Sequence, residues 1–177
     1  MLNRLIPDRH FSAYGEVTPA LLAADGVTAL LLDIDNTLAP YEVAEPDEAL
    51  HAWFAQLAQA GVRVALVSNN EEERVALFNR SLGLPAYPHA HKPLPRAVRR
   101  ALRDLGVAPA QAAFLGDQLF TDVLAGKNVG MRAYTVPPIR DKRDPFTRLK
   151  RWLERPFMRA YARREKRRQQ RKEEDRT

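Results

Sequence analysis

Short, continuously apolar runs alternate along this chain with longer stretches in which apolar residues recur every three or four positions. Residues 28–34 (Thr-Ala-Leu-Leu-Leu-Asp-Ile), 62–67 (Val-Arg-Val-Ala-Leu-Val) and 112–115 (Ala-Ala-Phe-Leu) have the length and character of strands buried on both faces. Residues 131–136 form a fourth strand, more alternating and therefore expected near a sheet edge. Between them, Leu50, Trp53, Phe54 and Leu57 mark one face of a helix that Pro46-Asp47-Glu48 starts and Gly61 stops. Leu94, Ala97, Val98, Ala101, Leu102 and Leu105 mark a second, with Arg96, Arg99, Arg100 and Arg103 on its wet side and Gly106 at its end. Val75, Phe78 and Leu82 predict a shorter third.

Strands separated by helices of this length predict an α/β domain, a three-layer, Rossmann-like open parallel sheet with helices on both faces. Ligands bind such a sheet beyond the carboxyl ends of its strands. Only a loop and one helix fit between Leu38 and the second strand, and about one helix plus a short turn or strand between Ser68 and Lys92. No cap domain is therefore expected, and the cleft should admit bulky substrates. The spacing assigns residues 1–145 to this domain and residues 146–177 to a basic tail, amphipathic and helical at first, then disordered.

Composition changes the picture at one place, the charge. A chain of 177 residues with 45% hydrophobic and 28% charged residues is ordinary for one globular domain. Its net charge of +6 is uneven: residues 1–147 carry 15 Lys+Arg against 17 Asp+Glu, whereas residues 148–177 carry 13 against 5. All of the basicity lies in the tail. The absence of cysteine excludes a disulfide framework, thiolate metal sites and a thiol nucleophile, so any catalysis uses oxygen and nitrogen groups. The first eight residues lack the apolar stretch of a signal peptide and no run approaches a bilayer's thickness, so a cytoplasmic location is expected.

Candidate chemistry sits where the first strand ends. Asp33 and Asp35 close the run Leu30-Leu31-Leu32. A carboxylate there can attack phosphorus to form an aspartyl-phosphate, while a second, two positions along and on the same face, handles the leaving group's proton. Three further sites stand at predicted element ends: Ser68-Asn69-Asn70, Lys92-Pro93 at a helix start, and Gly116-Asp117-Gln118 with Thr121-Asp122 close behind. Each alone is weak. Asp-x-Asp and Ser-Asn-Asn are common turns, Lys92 fits a solvated helix start, and Asp122 fits a helix cap. Together, Asp33, Asp35, Asp117 and Asp122 would repel a phosphate unless a divalent cation intervened, and Mg2+ suits an all-oxygen donor set. His10, His51, His89 and His91 have no metal-ligand spacing; His51 is expected on a helix surface, with a minor role open to His89 or His91 at the mouth.

In order and spacing, these four sites resemble the four motifs of the haloacid dehalogenase-type phosphatases. With Leu5-Ile6-Pro7-Asp8, Ile34 to Leu38, Val67 to Asn70, Arg80 to Leu84 and Gly116 to Asp122, the chain looks like the bacterial YqeG family of subfamily IIIA. That family is similar to the eukaryotic phosphatidylglycerophosphate phosphatase. The resemblance covers roughly residues 1–140 and does not extend to the arginine-rich arm. It implies that Asp33 and Asp117 hold Mg2+ through their side chains, Asp35 through its backbone carbonyl, and Asp122 directly or through water. Ser68, Lys92 and a supplementary Asn69 would bind the phosphoryl oxygens. It also implies that dehalogenases lack the second aspartate and transport ATPases carry threonine there, so Asp35 favours a phosphatase.

The tail interleaves Phe146, Leu149, Trp152, Leu153 and Phe157 with Arg148, Lys150, Arg151, Arg155 and Arg159, and Pro156 is expected to kink or split any helix. Residues 163–172 read as a frayed helix or disordered arm. Trp152 and Phe157 either dock on the domain or, with the basic residues, meet an anionic membrane at the cell's inner face, each charge contributing on the order of 1 kcal/mol. RNA or a ribosome is the competing partner. Two functions are carried forward: a Mg2+-dependent phosphatase, with phosphatidylglycerophosphate leading and sugar phosphates or nucleic-acid ends as alternatives, or an RNA-associated module with a vestigial pocket.

Overall fold

The computed structural model describes residues 2–140 and 145–174. Its strands are β1 (Arg9–His10), β2 (Ala29–Leu32), β3 (Arg63–Val67), β4 (Ala86–Tyr87), β5 (Ala112–Gly116) and β6 (Arg132–Thr135). They form one sheet, parallel throughout, in the order β1-β6-β5-β2-β3-β4. The helices are α1 (Pro19–Ala24), α2 (Glu48–Gln59), α3 (Glu72–Asn79), α4 (Pro95–Leu105), α5 (Leu124–Val129) and α6 (Pro145–Glu174).

Alternation along each strand explains the three layers. Leu30, Leu32, Leu66 and Leu115 face one side and meet Leu22 of α1, Trp53 and Leu57 of α2, and Phe78 of α3. Leu31, Ala65, Val67 and Phe114 face the other and meet Val98, Ala101 and Leu102 of α4 and Ala125 of α5. Burial on both faces is why the three central strands read as unbroken apolar runs. Asp47 caps α2, its carboxylate accepting from the Leu50 N–H at 2.8 Å. Among the described residues no cap domain interrupts the sheet, and no helix is long and apolar enough to cross a membrane.

Several boundaries differ from expectation for identifiable reasons. β2 stops at Leu32 instead of reaching Ile34, because the chain bends into a turn in which Asn36 adopts φ 62° and its N–H donates to the Ala39 carbonyl. α4 begins at Pro95, not at Lys92-Pro93; Leu94, expected on its apolar stripe, is its N-cap and 57% exposed. A residue preceding proline is disfavoured in helical conformation, and Leu94 precedes Pro95. The edge beside β6 is the two-residue β1, which the pattern did not show. It is anchored by Arg9, which donates two hydrogen bonds to Asp25 at 2.6 and 2.5 Å, while the Tyr134 hydroxyl donates to the same carboxylate. The hydrogen bond from Arg9 holds Asp25 below the usual carboxylate range.

The C-terminal segment departs furthest from the sequence-based expectation. α6 runs through Pro156 without a break, and residues 163–172, expected to be frayed or disordered, are helical. Pro156 and Trp152, four residues back, are both exposed residues, and a proline is tolerated best on the wet side of a helix, where water can replace the missing backbone donor. The opposite side docks. The Phe157 ring meets Phe120 edge-on at 6.1 Å, and the Tyr161 hydroxyl accepts from the His10 N–H at 3.1 Å. Of the two aromatic anchors considered, Phe157 packs and Trp152 does not. The side chains of Phe146, Arg148, Arg151 and Lys172 lie outside the described residues.

Candidate active site

The topology delivers three strand ends to one place. From β2 the chain passes to β3 on one side, and β5 lies on the other, so the carboxyl end of β2 is the point where the strand order reverses. Leu32 is in register with Leu66 of β3 and Leu115 of β5, and the Asp33 N–H donates to the Leu115 carbonyl. Asp33, Ser68 and Asp117 therefore emerge close together, each from the end of a buried strand. Lys92 arrives from the loop between β4 and α4, and Asp122 from a single π-helical turn, Leu119–Val123, ahead of α5.

These residues form a buried ionic cluster. Carboxylate oxygens of Asp33, Asp117 and Asp122 lie within 4.8 Å of one another. The Lys92 ammonium stands 2.7 Å from Asp33 Oδ1 and 2.8 Å from Asp122 Oδ1, with the Phe114 ring 5.3 Å away. Asp122 also accepts from the Gln118 N–H at 3.1 Å, so it braces its own turn while facing Lys92. Around the Lys92 ammonium, Asp33, Asp117 and Asp122 crowd negative charge where water screens it poorly. Burial pushes the Asp33 carboxyl up; Lys92 relieves this only in part, Asp122 and Asp117 add to it, and the result is about 8. Burial alone would lower Lys92, but Asp122 and Asp33 outweigh it and hold the ammonium above its ordinary value. Three hard oxygen donors with surplus charge fit a divalent cation, and a bound cation would replace the proton that Asp33 otherwise keeps.

Asp35 stands apart from this cluster but faces the same cleft. Its Oδ1 is 3.0 Å from Arg74 Nη2, and its Oδ2 accepts from the Asn70 amide at 3.0 Å. Ser68 is buried, its hydroxyl accepting from the Asn70 N–H at 3.1 Å. Asn69 clamps Lys92: its side-chain oxygen accepts from the Lys92 N–H at 2.6 Å and its amide donates to the Lys92 carbonyl at 3.2 Å. All seven residues singled out from the sequence are thus brought to one region, six of them lining a cleft of about 370 Å³ with Asp122 directly behind. His89 and His91, considered for the mouth, are not among its lining residues.

The family model for haloacid dehalogenase-like hydrolases matches residues 16–130, a span that contains every residue of this cluster. The chain belongs to that family. Among curated proteins, this hydrolase is 34% identical over 158 residues to the Bacillus subtilis protein named "Probable phosphatase YqeG", covering 89% of this chain and 92% of that one. A shorter stretch of 41 residues is 42% identical to a glyceraldehyde 3-phosphate phosphatase of Pyrococcus furiosus, covering 23% and 17% of the two chains. Among solved structures, the cobalt-bound deoxy-D-mannose-octulosonate 8-phosphate phosphatase of Haemophilus influenzae superposes with a TM-score of 0.53 at 13% identity. The match covers 78% of this chain and 91% of that chain, and shows a shared fold.

The hydrolase cleft also contains residues that the motifs did not reveal. Arg74 on α3 reaches Asp35, and Tyr41, Arg140 and Lys150 line the mouth. Most unexpected is α6. Glu154 is buried and accepts from the Leu119 N–H at 2.9 Å, while Lys150, one turn earlier, donates to the Gln118 side chain at 2.9 Å. The helix therefore braces the segment that carries Asp117 and Asp122. A signal was present: Glu154 is the one acid between residues 148 and 164 in an otherwise basic run.

Gly116 leaves no room for a side chain. A Cβ there would lie 2.3 Å from Asp122 Cβ and 2.4 Å from its Cγ. Gly116→Ala is expected to displace Asp122 from Lys92 and to cost about 3 kcal/mol of stability, read by chemical denaturation. An unchanged midpoint would show that the Asp122 turn yields freely.

Proposed function

We propose that this hydrolase is a Mg2+-dependent phosphomonoester phosphatase that works through an aspartyl-phosphate on Asp33. The observation that carries the reading is the buried cluster of Asp33, Asp117 and Asp122 around Lys92, open on one side to the cleft. An Asp33 oxygen attacks phosphorus and the bond to the substrate's alcohol oxygen breaks, with Asp35 supplying the proton that oxygen needs. Water then attacks the phosphoryl group, Asp35 takes up its proton, and the acyl-phosphate bond breaks to regenerate Asp33 and release phosphate. Arg74 and Asn70 orient Asp35 for both transfers. Lys92 and the Ser68 hydroxyl hold phosphoryl oxygens, and Asn69 adds a contact while fixing the Lys92 backbone. Asp33 and Asp117, with Asp122 beside them and the Asp35 carbonyl, would hold Mg2+, which supplies charge neutralisation for the phosphoryl oxygens.

The absence of an inserted lid among the described residues favours a large or surface-displayed phosphomonoester, and phosphatidylglycerophosphate is the leading substrate. Sugar phosphates and nucleic-acid ends are the alternatives. A vestigial pocket, as the RNA-module reading requires, is disfavoured because the buried charge cluster is intact. The test is phosphate release from a phosphomonoester panel that includes lipid phosphates. Release should require Mg2+ and stop on chelation; release indifferent to chelation would remove the metal from the mechanism.

The same cluster sets a pH dependence for the metal-free protein. Asp33 has a folded value near 8, above its unfolded value of 3.8, so the folded state binds the extra proton between these limits. Its contribution to stability is full below the unfolded value and is lost as pH rises through about 8. Mg2+ competes with that proton. The stabilisation by Mg2+, read as a rise in unfolding temperature, should therefore grow from pH 5 to pH 8 at fixed Mg2+, and amounts to about 2.7 kcal/mol where Mg2+ is at a hundredfold excess over Kd. A gain independent of pH would mean that Asp33 is not in the metal site.

A further inference from the structure

The outer side of α6 plays no part in the cleft chemistry, yet among the described helices it alone carries large apolar side chains that are exposed. Leu149, Trp152 and Leu153 are 54%, 61% and 42% exposed. They fall at i, i+3 and i+4 and so form one stripe; Leu153 borders the docked Phe157, four residues on, while Leu149 and Trp152 turn away from the docked Glu154 and Tyr161. Clustered large apolar side chains of this kind mark a surface that something covers. The exposed Arg155 and Arg159 border the stripe, and residues 163–172 continue it with seven basic residues against one acid.

Charge complementarity selects the occupant. A helix with an apolar stripe, a tryptophan and a strongly basic flank suits the headgroup region of an anionic bilayer, where indole rings concentrate and arginines meet lipid phosphates. RNA would satisfy the arginines and stack on Trp152, but it offers nothing to two exposed leucines beside it. Residues next to the stripe in sequence reach the cleft from the other side of the helix. Lys150, adjacent to Leu149, lines the mouth, and Glu154, adjacent to Leu153, holds the Leu119 N–H.

We propose that α6 seats the protein on an anionic lipid surface, with Leu149, Trp152 and Leu153 among the headgroups and Arg155, Arg159 and the basic turns after them on lipid phosphates. The proposal deepens the phosphatase reading, since its substrate becomes a phosphomonoester displayed on that surface, but the seating itself does not depend on catalysis.

The full-length protein should sediment with phosphatidylcholine vesicles that contain phosphatidylglycerol and not with phosphatidylcholine alone. Its tryptophan emission should shift to the blue and be quenched by brominated acyl chains; Trp53 is buried, so the change reports Trp152. The triple substitution Leu149→Ser, Trp152→Ser, Leu153→Ser should weaken vesicle binding at least about tenfold while hydrolysis of a water-soluble phosphomonoester is unchanged. Sedimentation with neither vesicle overturns the proposal, as does binding undiminished in the triple variant. Tighter retention on single-stranded RNA than on anionic vesicles at equal ionic strength would assign the helix to nucleic acid instead. Vesicle capture by a protein that releases no phosphate from any substrate would leave the seating standing and remove the catalytic reading alone.

Discussion

Asp33→Asn should abolish phosphate release, by at least about 10⁴-fold in kcat, without unfolding the protein. The amide retains the shape of the carboxylate but cannot attack phosphorus. Its effect on the fold runs the other way. Asp33 is buried beside two further carboxylates, and its carboxyl is pushed up to about 8, so ionising it costs the folded state free energy at neutral pH. A neutral amide removes that cost, and Lys92 still has Asp122 2.8 Å away. The metal-free variant should therefore unfold no earlier than the parent at pH 7, and its stability should lose the decline expected between pH 5 and 8. Substantial residual turnover would assign the nucleophile to another group, and a large loss of stability would mean that Asp33 holds the fold together.

Lys92→Met should carry the largest stability cost of any single change in the cleft, about 3–5 kcal/mol in the metal-free protein. The side chain is buried, and its ammonium bridges Asp33 and Asp122. Methionine fills similar space but removes the ammonium from Asp33 and Asp122 in a cluster that Asp117 completes. Protonation can answer part of this, so the deficit should be greatest above pH 8 and shrink in acid. Mg2+ should restore part of the lost stability, because a divalent cation addresses the same surplus charge. If Lys92 holds a phosphoryl oxygen as proposed, activity should fall by about 10²–10³-fold even at saturating Mg2+. Denaturation curves with and without Mg2+ separate these effects; a variant as stable as the parent at pH 8 would show that Lys92 is not needed to balance the cluster.

The parts of the molecule legible in the sequence are those in which local pattern and global role coincide. β2, β3 and β5 are buried on both faces, so their apolar runs are unmistakable, and a parallel sheet places the residues just past each strand at the ligand-binding edge. That logic brought out Asp33, Ser68 and Asp117; Lys92 and Asp122 stood out at element ends as weaker candidates, and the family resemblance gave them their expected roles. The features that stayed hidden depend on contacts between distant segments. Arg74 looks like any exposed helix arginine until α3 is placed beside β2, where it reaches Asp35. Glu154 lies 35 residues from Leu119, and nothing local announces that its carboxylate will be buried. Residues 163–172 are helical where density of charge predicts fraying or disorder, but their described side chains are exposed apart from the half-buried Glu165, and the packing lies earlier in α6. The docked residues Glu154, Phe157, Met158 and Tyr161 occupy one side at helical spacing, and the charges occupy the rest. Leu94 and β1 failed for smaller reasons: the proline after Leu94 excluded it from the helix, and a two-residue strand is too short to show a period.

The bracing of the Asp117 segment by α6 links the two halves of the molecule physically. A helix that holds the Leu119 N–H can only keep the cleft in register if its dock is firm. The Phe157–Phe120 contact and the Tyr161 hydroxyl on β1 supply that firmness at two further turns.

The most direct test is to identify the residue that becomes phosphorylated. Protein mixed with Mg2+ and a phosphomonoester, quenched in acid during turnover and reduced with borohydride, should yield homoserine at position 33 when its peptides are sequenced by mass spectrometry. Positions 35, 117 and 122 should remain aspartate. Modification at one of those positions, or phosphate release with no modified residue at all, would contradict the assignment of Asp33 as the group that attacks phosphorus.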